Sequence, residues 1–215
     1  MPNSDSSQKR IDKLLSDWDS SLSSSQRQRI DVLLNRRQFL LKSAALSASA
    51  TAAGLLMTAC GGAITTEDPF PFQQTEPWRT LDAVQQHMLP TGADSPGATE
   101  IRSIHYLKAL LDSPGIEAED KDFIRNGVQW LNGITRELFN KSFYQLDVVQ
   151  REASLRRIED SHSGERWLSL NLKYVLESLL TAPVYGGNPE GIGWQWLEYQ
   201  PGFPLPTEDK KYFKL

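Results

Sequence analysis

The chain has 215 residues, 23 Lys and Arg against 27 Asp and Glu, and a formal net charge of −4. That size suits a single domain with an adequate core, and the acidic balance without a basic patch argues against nucleic acid as a partner. Cys60 is the only cysteine, which excludes an intrachain disulfide framework and a thiolate metal site.

Residues 1–34 are rich in Ser, Asp and Gln, with short amphipathic pieces at 11–15 and 30–34. They read as a mostly disordered leader, longer than a signal needs and removed with it. Arg36, Arg37, Phe39, Leu40 and Lys42 resemble the twin-arginine export signal, the route by which bacterial proteins cross the membrane already folded. The following stretch to residue 59 is built largely from Ala and is interrupted by Ser43, Ser47, Ser49, Thr51 and Thr58. A spanning helix needs about 20 mostly apolar residues, so a transmembrane anchor is disfavoured. Met57 to Cys60 resembles a lipobox, in which the Cys60 thiol takes a lipid and Cys60 becomes the first mature residue. Residues 1–59 are then leader and signal peptide, 60–77 a lipidated tether, and 78–215 the folded domain. The expected location is the periplasm, membrane-attached. Removing the leader leaves 15 basic and 22 acidic residues, a net charge of −7. Folding before export commonly serves cofactor loading, yet nothing downstream has the pattern of a cofactor site.

The domain reads as all-α, with about five helices and almost no strand-like alternation. Trp78, Leu81, Val84 and Met88 mark the first, stopped by Pro90. Ile101, Ile104, Leu107 and Leu111 mark the second, which Asp94 or Ser95 is expected to cap and Ser113-Pro114-Gly115 to close. Phe123 to Leu138 carry the third, with Gly127 and Gly133 where another backbone can come close. Asp147 and Gln150 have the spacing of a capping box opening the fourth, through Leu155 and Ile158. Trp167, Leu168, Asn171, Val175, Leu179 and Leu180 carry the fifth. From Thr181 to Pro206 the chain is a Gly- and Pro-rich run with no regular structure expected, interleaved with Tyr185, Trp194, Trp196, Tyr199 and Phe203. Five large aromatics left in water argue against disorder there.

Two motifs stand apart: residues 89–98, containing Pro90, Asp94, Pro96 and Gly97, and residues 183–194, containing Pro183, Tyr185, Gly186, Gly187, Asn188, Gly193 and Trp194. Together they resemble the gluconate 2-dehydrogenase subunit 3 family, over roughly residues 78–206. The resemblance implies a non-catalytic small subunit of a bacterial FAD-dependent sugar or alcohol dehydrogenase. In that family the large subunit binds FAD and does the chemistry, and a multihaem cytochrome c often accepts the electrons. The small subunit helps to mature and export the flavoprotein through the twin-arginine translocase. The signal would thus serve a partner, and the lipid would add membrane attachment. The long leader and the lipobox depart from the commonest form of the family. A stand-alone periplasmic lipoprotein that keeps the fold as a binding module is the competing reading.

The 183–194 motif has two physical readings. Its glycines and Asn188 can shape turns while Trp194 plugs the helical core; alternatively the ledge faces the flavoprotein, with Tyr185, Trp196 and Tyr199 as anchors. A phosphate-cradling loop is disfavoured because no Lys follows and no strand precedes. His87, His105 and His162 lack the spacing that puts two metal ligands on one helix face. No Cys-x-x-Cys-His occurs, so no c-type haem is expected on this chain, and no cofactor or metal site is predicted.

Overall fold

The computed structural model describes residues 4–24, 70–202 and 204–212. The twin-arginine residues 36–42, Cys60, most of the tether and Phe203 lie outside them. Seven α-helices form the architecture, with no strand among the described residues: α1 Ser4–Ser20, α2 Trp78–Met88, α3 Ser103–Asp112, α4 Ala118–Phe139, α5 Val148–Glu159, α6 His162–Leu180 and α7 Ile192–Trp196. The five helices expected from Trp78 to Leu180 are thus α2 to α6.

The expectation of a mostly disordered N-terminal leader is corrected for residues 4–24. These form α1 and its end, and they bury Ile11, Leu15, Trp18 and Leu22 in the main core. Ile11, Leu15 and Trp18 are spaced 4 and 3 apart, so they share one face of α1, and Leu22 packs just past its end. Polar composition concealed them, since Ser and Asp fill the opposite face.

The long helices α4 and α6 form the centre. Trp167 of α6 is fully buried, and its Nε1 donates to the Ile124 carbonyl of α4 at 2.9 Å. Gly127 makes this possible: a Cβ built there would lie 2.1 Å from Trp167 Nε1. At Gly133 the nearest neighbour is Leu14 of α1, at 3.8 Å from a built Cβ, an ordinary contact that a side chain there would not forbid. Gly127 therefore admits a side chain rather than the backbone expected from sequence, and no backbone comes close at Gly133. Arg166 reaches Asp120 of α4 at 3.3 Å, a partly buried pair across the same seam.

A polar knot ties α2 to α4. Asn132 donates from Nδ2 to Thr80 Oγ1 at 3.2 Å and accepts at Oδ1 from the Phe143 amide at 2.9 Å. Both side-chain ends are thus satisfied in a buried position, as a buried amide requires. Asp147 caps α5 by accepting from the Gln150 amide at 2.9 Å, the capping box read from sequence.

His105 on α3 is packed edge-on by Phe70 and Phe72, with ring centroids 4.4 and 5.2 Å away. Both its ring nitrogens are buried without a hydrogen-bond partner. Burial, followed by the nearby positive charge of Arg102, holds its pKa below the ordinary 6.5. The unfolded chain then binds more protons than the folded one as pH falls through the ordinary histidine range, so this site loses stability on acidification. Denaturant unfolding at pH 7.5 and 5.5 is expected to show a larger loss for the wild type than for His105→Phe, which retains the aromatic packing without the titration. Equal losses would assign the ring no such role.

Gly127→Ala is expected to destabilise the fold by about 2–3 kcal/mol, because the added methyl must displace a fully buried Trp. Gly202→Ala, where a Cβ meets nothing within 4 Å, serves as a control and is expected to be near neutral in urea unfolding followed by circular dichroism.

Candidate partner-binding face

The two sequence motifs meet in the structure. Ala98 donates its backbone amide to the Leu89 carbonyl at 2.8 Å, closing the 89–98 loop, and the Asn188 amide donates to the Ile101 carbonyl at 2.8 Å, tying the second motif to the chain just after the first. Ile101 packs with Val175 and Leu179 in a second apolar cluster. It precedes α3 instead of lying within it.

The first loop is pinned by Glu100. Its carboxylate accepts from the Thr91 hydroxyl at 2.8 Å and from the Gly97 amide at 2.9 Å. Pro96 and Gly97 are buried, whereas Pro90 and Asp94 are exposed. The expected capping of the second helix by Asp94 or Ser95 is corrected. The helix begins at Ser103, its N-cap is Arg102 in the left-handed region at φ 52°, and no side chain caps it. A turn over 98–102 intervenes, which places the acidic loop too far upstream to reach the helix end.

The second motif is not irregular throughout, as its composition suggested. Short 3-10 turns at Pro183–Tyr185 and Pro189–Gly191 lead into α7. Asn188 is their hub: fully buried and at φ 50°, it donates from Nδ2 to the Thr181 carbonyl at 2.9 Å and accepts at Oδ1 from the Gly193 amide at 2.7 Å. Gly186 adopts φ 96°, where a side chain would be strained. Gly193 lies so close to α6 that a Cβ would meet the Leu179 carbonyl oxygen at 2.2 Å. Trp194 is buried and donates from Nε1 to the Leu180 carbonyl at 2.8 Å. Pro183 is half-buried and Gly187 buried. Their contacts are therefore with this domain's own helices.

Tyr185 is half-buried, its hydroxyl accepting from the Tyr212 amide at 3.1 Å and its ring lying 5.7 Å from that of Tyr212. The C-terminal tail thus lies against it. Trp196 and Tyr199 are exposed, at 42% and 54%.

One feature escaped the sequence reading. Leu172, Leu176 and Leu180 recur every fourth residue along α6, and all three are exposed, at 44–51%. They line a shallow groove of about 620 Å³ that Tyr106 of α3 borders. At its edge the Tyr106 hydroxyl donates to Glu177 at 3.1 Å, and burial together with that carboxylate raises the phenol's pKa well above its usual value, so it stays a donor. α7, bonded to the last turn of α6 through Trp194, ends on the exposed Trp196, and the exposed Leu197 and Tyr199 follow it. Exposed apolar residues grouped in this way mark interaction surfaces.

Other residues offer little chemistry. His87 pairs with Glu152 at 2.8 Å, His105 lies in its aromatic niche, and His162 opens α6. Among the described residues, no group of three or more His, Cys, Asp or Glu is placed to hold a metal ion, and no helix is long and apolar enough to cross a membrane.

Asn188→Ala is expected to cost about 2–4 kcal/mol, since two buried backbone groups lose their partner and the replacement is strained at positive φ. Asn188→Gly keeps the first cost and escapes the strain, so it is expected to fall between alanine and wild type in chemical denaturation; equal costs would assign the whole effect to the hydrogen bonds.

No curated protein and no solved structure matches the chain. Residues 75–202, which hold α2 to α7 and both loop motifs, match the family described as gluconate 2-dehydrogenase subunit 3. That match covers more than half of the sequence, and the chain therefore belongs to the gluconate 2-dehydrogenase subunit 3 family.

Proposed function

We propose that the chain is the non-catalytic small subunit of a periplasmic, membrane-associated dehydrogenase of the gluconate, glucose or fructose type. Its role is to mature the FAD-binding large subunit, carry it through the twin-arginine translocase and anchor it. The family match over residues 75–202 is the observation that carries this reading. FAD resides in the partner, with haem c in a third, cytochrome subunit where one is present. Arg36, Arg37, Phe39, Leu40 and Lys42 supply the signal for a flavoprotein without one of its own, and the lipid on Cys60 holds the complex to the membrane.

The face that meets the flavoprotein is the leucine stripe of α6 with the aromatics beside it. Leu172, Leu176 and Leu180 present apolar surface that a stable partner would cover, and Trp196 and Tyr199 are residue types favoured as interface anchors. Asn188 and the glycines act one step behind, by fixing α7 against α6. Tyr185 has a smaller part in this reading, because the C-terminal tail already packs on it.

Co-expression with a candidate flavoprotein subunit that lacks an export signal tests both halves. Arg36→Lys with Arg37→Lys is expected to leave both proteins in the cytoplasm, seen by fractionation; normal export of the flavoprotein would rule out the carrier role. Leu172→Ser with Leu176→Ser is expected to keep the helicity and weaken co-purification by about 2–4 kcal/mol, in the range of interface anchors. Undiminished co-purification would move the interface off α6.

A further inference from the structure

α1 lies antiparallel on α4, as the pairs along it show. Arg10 bonds Glu137 at 2.6 Å, Leu14 faces Gly133, Trp18 stacks on Trp130 with centroids 6.2 Å apart, and Ser23 bonds Glu119. Trp18 also meets Trp167 of α6 edge-on at 6.3 Å. At the ends of α5 and α6, Arg157 pairs with Asp12, and Asp19 accepts from the Ser163 amide at 2.7 Å. The Asp19 contact satisfies an amide in the first turn of α6 that has no partner within the helix. The groove under α1 is thus built by α4, α5 and α6 together.

Two observations set α1 apart from the fold it covers. The family match begins at residue 75, so the shared domain lies wholly downstream of it. Its covalent link to that domain runs through residues 25–69, which include both the paired arginines and Cys60. A helix of 17 residues is marginal alone in water. Its apolar face finds burial on a groove whose walls come from three separate helices that must first pack on one another, so docking requires a folded domain.

We propose that this groove is a helix-docking site and that residues 4–24 are its removable occupant in cis: a cap that seats only on the folded domain and leaves when the chain is cut between residues 25 and 69. The biological trigger rests on reading residues 36–60 as a cleavable signal; the docking itself does not. While the chain is intact, α1 and the domain are covalently joined, and docking is intramolecular with an effective concentration on the order of 1 mM. After a cut, α1 binds only at its bulk concentration, so at about 1 μM protein its tendency to dock falls about a thousandfold. Its departure uncovers Trp130 and Trp167 as the floor of an apolar groove.

A site-specific protease sequence inserted between Thr66 and Glu67 of the full chain allows the cut without any export machinery. At about 1 μM, gel filtration after cutting is expected to separate the N-terminal fragment from the domain. The near-ultraviolet dichroism of the stacked tryptophans should change, the domain should keep its remaining helicity, and binding of an apolar-surface dye should rise. Trp18→Ala in the uncut chain is expected to give the same dye binding with the domain still folded. Co-elution that persists on dilution to about 10 nM would make α1 a permanent part of the domain and overturn the proposal. Unfolding on release would make it core, and an uncut chain eluting as a dimer with exchanged helices would make the docking intermolecular; either also overturns it. If the arginine substitutions leave export unchanged while the cut still releases α1, the carrier reading fails and the cap stands.

Discussion

The buried indole of Trp167 sets the arrangement on which the rest of the molecule depends. Its hydrogen bond to the Ile124 carbonyl fixes the depth of α6 against α4, and the missing side chain at Gly127 is the condition for that approach. A helix turns by about 100° per residue. Fixing Trp167 inward therefore fixes every other position of α6: Asn171, Tyr174 and Ser178 fall near the same direction and are buried, while Leu176 lies about 180° away. Leu172 and Leu180 flank Leu176 on that outer side. The exposed leucine stripe is a consequence of how one tryptophan is seated.

That geometry also explains what sequence could and could not tell. The helices α2 to α6 were legible because each has a strong apolar period and a plain stop, such as Pro90 or the Ser113-Pro114-Gly115 turn. The family was legible in the two loop motifs. The stripe was not, because α6 carries apolar residues on two faces and periodicity does not say which face its own domain covers. Leu179 and Leu180 both mark the fifth helix in the sequence, yet Leu179 is buried and Leu180 is half exposed. Only the neighbouring helices decide between them.

The N-terminal segment failed for a different reason. Its apolar residues are spaced correctly for a helix, but the surface that makes them useful lies more than a hundred residues away, in Trp130 and Trp167. Composition dominated by Ser and Asp then pointed to disorder. In the 89–98 loop a local rule misled in the same manner. A carboxylate upstream of a helix suggests a cap, yet the groups needing an acceptor were the Thr91 hydroxyl and the Gly97 amide inside the loop, and Glu100 supplies it.

The carrier role proposed above requires the signal to be exposed and the cargo held at the same moment. The two apolar surfaces of α6 meet that requirement by lying apart along the helix. α1 is engaged near the first turns, at Ser163 and Trp167, whereas the leucine stripe runs from Leu172 to Leu180. At 1.5 Å per residue, Leu176 is about 20 Å along the axis from Ser163. The stripe also faces the side opposite Trp167, so a partner seated on it need not displace α1. Occupancy of one surface then leaves the other free, and α1 docked on the folded domain is compatible with a partner already seated on the stripe. The cap and the proposed cargo are two ligands of one helix, separated by its length and by half a turn.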